Sequence, residues 1–253
     1  MKLFWQIANI ASVIFALVLN FLTGAQILNL PAINEVSDTY ATLLTPAGYA
    51  FSIWSLVYIL LVVFAVYQAR DIFKPHKDND LPLTMGPLFV IANICNGLWT
   101  YIFVQELIGL SVFVLLLLTT SLYLLLYRLK IAVYDAPLEV IALSWWPLLI
   151  YTGWVTVATV VNIASWFDSI GVTISPLIAS SVLVILAAVL LALLITRNVR
   201  ELLLASAWGI AAIGVAQVEG NQAVMVTAFG ASGILVAAIL VHGYMNRAAS
   251  PLK

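Results

Sequence analysis

Residues 45–77 read TPAGYAFSIWSLVYILLVVFAVYQARDIFKPHK. From Thr45 to Ala69 no side chain is charged, and then Arg70, Lys74 and Lys77 follow in quick succession. An uncharged apolar run of this length is what a helix needs to cross about 30 Å of hydrocarbon, roughly 20 residues at 1.5 Å each. The basic cluster at its end gives the helix a direction, because Lys and Arg accumulate in the cytoplasmic loops of membrane proteins.

The same pattern repeats along the chain. Of its 253 residues 64% are hydrophobic and 8% charged, which excludes a water-soluble fold. Apolar runs lie near 4–27, 47–69, 85–104, 108–127, 139–165, 176–196, 201–217 and 222–245. Every one of the ten Lys and Arg residues falls before the first run, in every second gap, or after the last run. Lys2, Arg70, Lys74, Lys77, Arg128, Lys130, Arg197, Arg200, Arg247 and Lys253 would then lie on one side. The alternate gaps hold only acids, namely Glu35, Asp38, Glu106, Asp168 and Glu219. The expected fold is an all-α integral membrane protein with eight transmembrane helices and both termini in the cytoplasm, in a membrane of the bacterial inner type. An added or missing helix would scramble the alternation downstream of it. The long uncleaved apolar N-terminus, with Asn9 and Asn20 inside it, reads as a retained helix.

Function has to reside among the helices, because the gaps are short and no soluble domain is present. Cys95 is the single cysteine, and of the two histidines His242 sits in the last helix and His76 in a loop, so neither a disulfide nor a metal site is expected. No cofactor and no nucleic-acid partner is expected. Polar and aromatic residues of three helices reach similar depth: Trp54 from the second, Asn96 and Trp99 from the third, and Trp154, Asn162 and Trp166 from the fifth. They are able to form one aromatic pocket or to serve as packing and interhelical hydrogen bonds. Trp166, Trp5, Trp145 and Trp146 fit aromatic belts at the membrane surfaces. Thr152, Thr156 and Thr159 mark a mildly polar stripe on the fifth helix that should face protein.

Three stretches, in order, resemble the signatures of one family. Thr45-Pro46-Ala47-Gly48-Tyr49-Ala50-Phe51 with Trp54 and Tyr58 is similar to the proline-initiated second helix of the tryptophan-rich sensory proteins, or translocator proteins. Asn96-Gly97-Leu98-Trp99 with Phe103 is similar to their third-helix pattern, and Tyr151, Trp154, Ala158, Asn162 and Trp166 to their fifth. The resemblance covers 1–168 and implies a five-helix membrane domain there, with 169–253 as a three-helix extension packed on it. It implies a cavity for planar apolar molecules, tetrapyrrole-like or other aromatics, with Trp54, Tyr58, Asn96, Trp99, Trp154, Ala158 and Asn162 as ligand-binding residues. A ligand-binding or sensory role is the reading this favours. A small-molecule transporter is the alternative, and an enzyme acting on a pigment is less favoured. Thr45 stands where the family carries a lid proline, and Ile163 and Phe167 replace the residues of its sterol-associated motif. The absence of cations at the acidic ends predicts a preference for neutral or cationic ligands. Small residues four apart, Ala205 with Gly209 and Ala212 with Ala216, allow close helix contact in the extension, and the resemblance implies that the added helices cover the surface five-helix relatives use to dimerise, making the chain a monomer, with a second functional site in the extension as the alternative.

Overall fold

Where each apolar run was expected, a helix is found. The computed structural model describes residues 1–72 and 79–245, so Lys74, His76, Lys77, Arg247 and Lys253 lie outside the described residues. The long helices are α1 (Lys2–Gly24), α2 (Ile53–Gln68), α3 (Leu88–Val104), α4 (Ile108–Arg128), α5 (Trp146–Ser169), α6 (Pro176–Thr196), α7 (Arg200–Ala216) and α8 (Gln222–Met245). No strand occurs among the described residues. Among the described residues six helical segments are long and apolar enough to cross a membrane: α1, α4, α6 and α8, α2 taken with its flanking turns as Gly48–Ile72, and α5 taken with the turns ahead of it as Leu138–Ser169; α3 and α7, of 17 residues each, are not among them. The described cations sit at helix ends: Lys2 opens α1, Arg128 closes α4, and Arg197 and Arg200 flank the turn between α6 and α7.

The chain divides into two compact units, Met1–Val36 with Trp54–Leu148 and Ser37–Ile53 with Leu149–Lys253. The division falls near the start of α5, whereas the family resemblance drew a boundary at its end. In the first unit α3 packs on both α1 and α4. Helix α1 turns Gln6, Asn9, Ser12, Ala16 and Thr23 inward, while Phe4, Ile7, Ile14, Val18 and Phe21 are exposed. Polar inside and apolar outside inverts the soluble pattern, as expected where the solvent is lipid and backbone and side-chain polar groups must be satisfied within the protein.

Two local departures from regular helix have clear causes. The segment after Pro46 begins with a 3-10 turn, Gly48–Ser52, in which Ala50 N–H bonds to Ala47 C=O at 2.9 Å, and α2 follows from Ile53. Proline can open such a turn because first-turn N–H groups have no intrahelical acceptor. Ahead of α5, residues Ile141–Trp145 form a π-helical turn. Pro147 lies just beyond it; lacking an N–H and clashing with the carbonyl four residues back, it favours a widened turn over a regular one.

The second unit holds α5 from Leu149 onward, α6, α7 and α8, with α8 packed on α6 and α7, and α7 in contact with the 3-10 turn. Pro176 starts α6 with Ser175 as its cap, the hydroxyl accepting from Ile178 N–H at 3.3 Å. After α5, Gly171 takes a φ of +78° in the turn where its N–H bonds to Asp168 C=O and Val172 N–H bonds to Phe167 C=O, a position that suits glycine.

Candidate functional site

Four of the seven residues expected to bind a ligand lie in the first unit. Trp54 and Tyr58, one turn apart on α2, stack at 5.4 Å with their planes 17° apart. Trp99 and Phe103, one turn apart on α3, do the same at 5.4 Å and 24°. Trp54 lies 5.8 Å from Trp99 and joins the two pairs, so the rings run in the order Tyr58, Trp54, Trp99, Phe103. Both tryptophans are buried and Tyr58 is half-buried. Each such contact contributes about 0.5–1.5 kcal/mol beyond its buried area.

Asn96, one turn from Trp99 on α3, is fully buried. Its Oδ1 accepts from Asn20 Nδ2 at 2.9 Å, and Asn20 Oδ1 in turn accepts from the Thr100 hydroxyl at 2.7 Å. Among the described residues Asn96 Nδ2 has no acceptor. A buried amide donor left in this state costs roughly 1–3 kcal/mol unless a water or a ligand meets it.

Asn20 and Thr100 belong to a longer line of buried polar groups that the sequence reading did not assemble. Asn93 Nδ2 donates to Ser12 Oγ at 3.2 Å. Gln68 Oε1 accepts from Asn9 at 3.3 Å, and Gln68 Nε2 donates to Gln6 C=O at 3.2 Å. Gln6 and Asn79 both donate to Asp71, which pairs with Lys2. Asn9 Oδ1 and Asn93 Oδ1 are buried and, among the described residues, lack donors. The signal was present in the first helix, where residues 6, 9, 12, 16 and 20 recur at helical spacing on one face and are polar or small.

The other three expected residues lie in the second unit, on α5. Trp154 is buried with its ring edge-on to Phe51 at 6.2 Å, and a Cβ on Gly209 would come within 3.3 Å of it. Ala158 is half-buried and Asn162 buried, at successive turns beyond Trp154. Of the threonine stripe, Thr152 and Thr159 are buried, and the Thr156 and Thr159 hydroxyls bond back to carbonyls of their own helix at 2.7 and 2.8 Å.

The segment before α2 is held by residues that no motif indicated. Ala47 N–H donates to Ala212 C=O at 3.0 Å, and Trp208 Nε1 donates to Ala50 C=O at 3.2 Å. Trp208 also meets the Tyr49 ring edge-on at 5.2 Å. Thr45 fits its turn by accepting from Thr42 N–H at 2.8 Å. Trp145, expected in an aromatic belt, is buried, while Trp146 and Trp166 are exposed.

The second unit also contains an apolar cavity of about 370 Å³, lined by Leu44, Val160, Ile163, Ala164, Phe167 and Ile178 among others. It falls within the size range of small-molecule sites. A cavity of about 460 Å³ lined by Arg70, Arg128 and Lys130 among others lies in the first unit. None of the seven expected residues lines either one.

Residues 6–241 match the model of the TSPO-like protein family, and the chain belongs to that family. The match runs into the last helix, well beyond residue 168 where the motif resemblance stops. No match is found among curated proteins or among solved structures.

Proposed function

We propose that this TSPO-like integral membrane protein binds a planar, apolar small molecule, tetrapyrrole-like or otherwise aromatic, against the Trp54 and Trp99 rings with Asn96 as the hydrogen-bonding group. The observation that carries the reading is a buried amide donor that has no acceptor among the described residues, one helical turn from two stacked ring pairs joined by the tilted Trp54–Trp99 contact. Flat aromatic faces supply contact area, and one amide fixes orientation. The alternating charge pattern supports eight crossings with both termini cytoplasmic, which would place Trp54, Asn96 and Trp99 in the outer half of the membrane. Trp154, Ala158 and Asn162, in the second unit, are proposed as ligand-binding residues on the family resemblance alone. Because the acidic ends of the helices carry no cation, neutral or cationic ligands should bind more tightly than anionic ones.

The test is a tryptophan-fluorescence titration of the purified protein with a porphyrin and with an uncharged aromatic amide, repeated in Trp54→Phe and Asn96→Ala. Saturable quenching, tighter for the uncharged ligand and weakened about tenfold by Asn96→Ala, is the expected result. Quenching untouched by both substitutions but lost in Ala164→Phe would move the ligand to the apolar cavity. Tight binding that depends on the porphyrin carboxylates would overturn the charge argument.

A second reading, transport of a small polar molecule, is supported by the buried polar line from Gln6 to Thr100, since groups of this kind in a membrane mark solute paths as well as helix contacts. Uptake into proteoliposomes that falls in Asn93→Leu while the titration is unchanged would favour it.

A further inference from the structure

We propose that the cation-lined cavity of the first unit is a second binding site, selective for an anionic phosphomonoester group carried on an amphiphilic molecule. The cavity measures about 460 Å³ and is enclosed by the end of α2, the short helix Leu81–Met85, the end of α4 and the π-helical turn before α5. Three cations line it, Arg70, Arg128 and Lys130, against one carboxylate, that of Asp80, which is exposed.

Among the described residues none of the three cations is paired with an acid. Arg70 lies 4.1 Å over the Tyr67 ring and donates to two neutral acceptors, Tyr67 C=O at 2.9 Å and Asn79 Oδ1 at 3.3 Å. Asp71, the nearest carboxylate in the chain, is instead taken by Lys2, Gln6 and Asn79. The Arg128 guanidinium lies against Gly86, whose φ of +55° and missing Cβ leave it room, since a Cβ there would come within 3.3 Å of Nη1. Lys130 occupies the left-handed position that ends α4, at φ +51°, where glycine is the usual residue. The turn is closed by Lys130 N–H to Tyr127 C=O and Ile131 N–H to Leu126 C=O, both at 3.1 Å, so the backbone from which the ammonium extends is fixed.

The opposite wall is aromatic and comes from the π-helical turn. Trp145 is buried and meets Tyr134 edge-on at 5.2 Å, and Ser144 beside it is buried as well. Such turns redirect side chains out of helical register and recur at ligand sites. A phosphate offers several oxygens to a pair of guanidiniums and an ammonium, which a neutral ligand cannot match. The volume exceeds what a bare anion fills, and the tyrosine and tryptophan faces suit an attached apolar or glycerol-like body. Basic pockets at the cationic ends of membrane helices are suited to anionic lipid head groups, and a soluble phosphate compound would present the same chemistry.

Isothermal titration of the full-length protein in a neutral detergent tests the site with three probes: dihexanoyl phosphatidic acid, dihexanoyl phosphatidylcholine and inorganic phosphate. The phosphatidic acid should bind saturably, about tenfold or more tighter than the choline lipid, and lose about tenfold or more in Arg128→Gln and in Lys130→Gln, with Lys130→Arg retaining binding. Inorganic phosphate binding as tightly as the lipid would identify a soluble phosphate as the source, and much weaker binding would identify a head group; both support the site. Equal binding of the two lipids, no saturable binding of any probe, or affinity unchanged by Lys130→Gln would overturn it. Lys130 is exposed, so its substitution decides the matter even where Arg128→Gln compromises folding. Neither the probes nor the residues overlap those of the aromatic site, so the two proposals fail separately.

Discussion

The two units hold their helices together in different ways. In the first, long amides reach across: Gln68 bonds to Gln6 and Asn9, Asn93 to Ser12, and Asn20 to Asn96. In the second, backbones approach until no side chain intervenes. A Cβ on Gly153 would lie 2.1 Å from Leu202 C=O, and the Ser206 hydroxyl bonds at 3.0 Å both to Gly153 C=O and to Leu202 C=O. Ser232 reaches Ala207 C=O at 3.0 Å, and Gly214 lies under the Phe229 ring. Lipid tails are as apolar as leucine, so helix association in a membrane depends on close packing and hydrogen bonds, and the units emphasise one means each. The difference has a functional side. The Ser206 and Ser232 hydroxyls complete their bonds at contact distance, whereas the amides of the first unit leave buried atoms of Asn9, Asn93 and Asn96 without partners among the described residues, available to a water or a ligand.

The largest effect should come from filling the closest approach. Gly153→Ala places a methyl group inside van der Waals range of a backbone carbonyl that cannot move without shifting α7, and should destabilise the protein by about 3 kcal/mol or more. Gly97→Ala is the matching change in the first unit, where the added Cβ meets Phe15 and Leu19 side-chain ends at 3.1 and 3.2 Å and Ala16 Cα at 3.3 Å. Partial relaxation there should hold the loss to about 1 kcal/mol. Unfolding in mixed micelles measures both, and equal losses would break the comparison.

The helices were legible because hydropathy and charge are properties of whole segments, and a span of lipid imposes its length on them directly. What hydropathy does not carry is which face of a helix meets which neighbour. Trp145 therefore read as a surface tryptophan but is buried, since the π-helical turn ahead of Pro147 changes the register on which a belt assignment relies. The ring motifs were legible as motifs, and they fall into two units, Trp54, Tyr58, Asn96 and Trp99 in one and Trp154, Ala158 and Asn162 in the other. The support of the segment after Pro46 was not legible: half of it is a main-chain carbonyl, Ala212 C=O, and a carbonyl has no sequence signature. The polar face of α1 was readable at positions 6, 9, 12 and 20, but isolated amides in an apolar helix give no sign of their partners until the neighbouring helix is placed.

An intermediate effect is expected at Gln68, which is fully buried. Replacement by leucine removes bonds to Gln6 C=O at 3.2 Å, Ala65 C=O at 3.0 Å and Asn9 at 3.3 Å. Interhelical hydrogen bonds in membranes contribute on average about 0.6 kcal/mol and at most about 1.7, so a loss of about 1–2 kcal/mol is expected. Adding Asn9→Leu should recover part of it, because removing both partners leaves fewer unmet polar atoms than removing one. A double substitution that costs the sum of the two singles would show that the amides act independently, and that the first unit is not joined by a network.

The smallest expected effect tests how far the close packing of the second unit extends. Trp208→Phe removes the bond from the indole N–H to Ala50 C=O while keeping a ring beside Tyr49, and the Ala47 to Ala212 bond remains. Trp208 is 41% exposed, so little buried area changes. Global stability should fall by about 0.5–1 kcal/mol, the net contribution of one hydrogen bond. Hydrogen exchange should nonetheless rise clearly at residues 47–51, because local opening is governed by the few bonds that hold a segment rather than by the whole fold. Faster exchange confined to those residues would mark the segment as a weakly tethered part of a rigid unit. A loss as large as that of Gly153→Ala would instead mean that the segment after Pro46 is integral to the packing of the second unit.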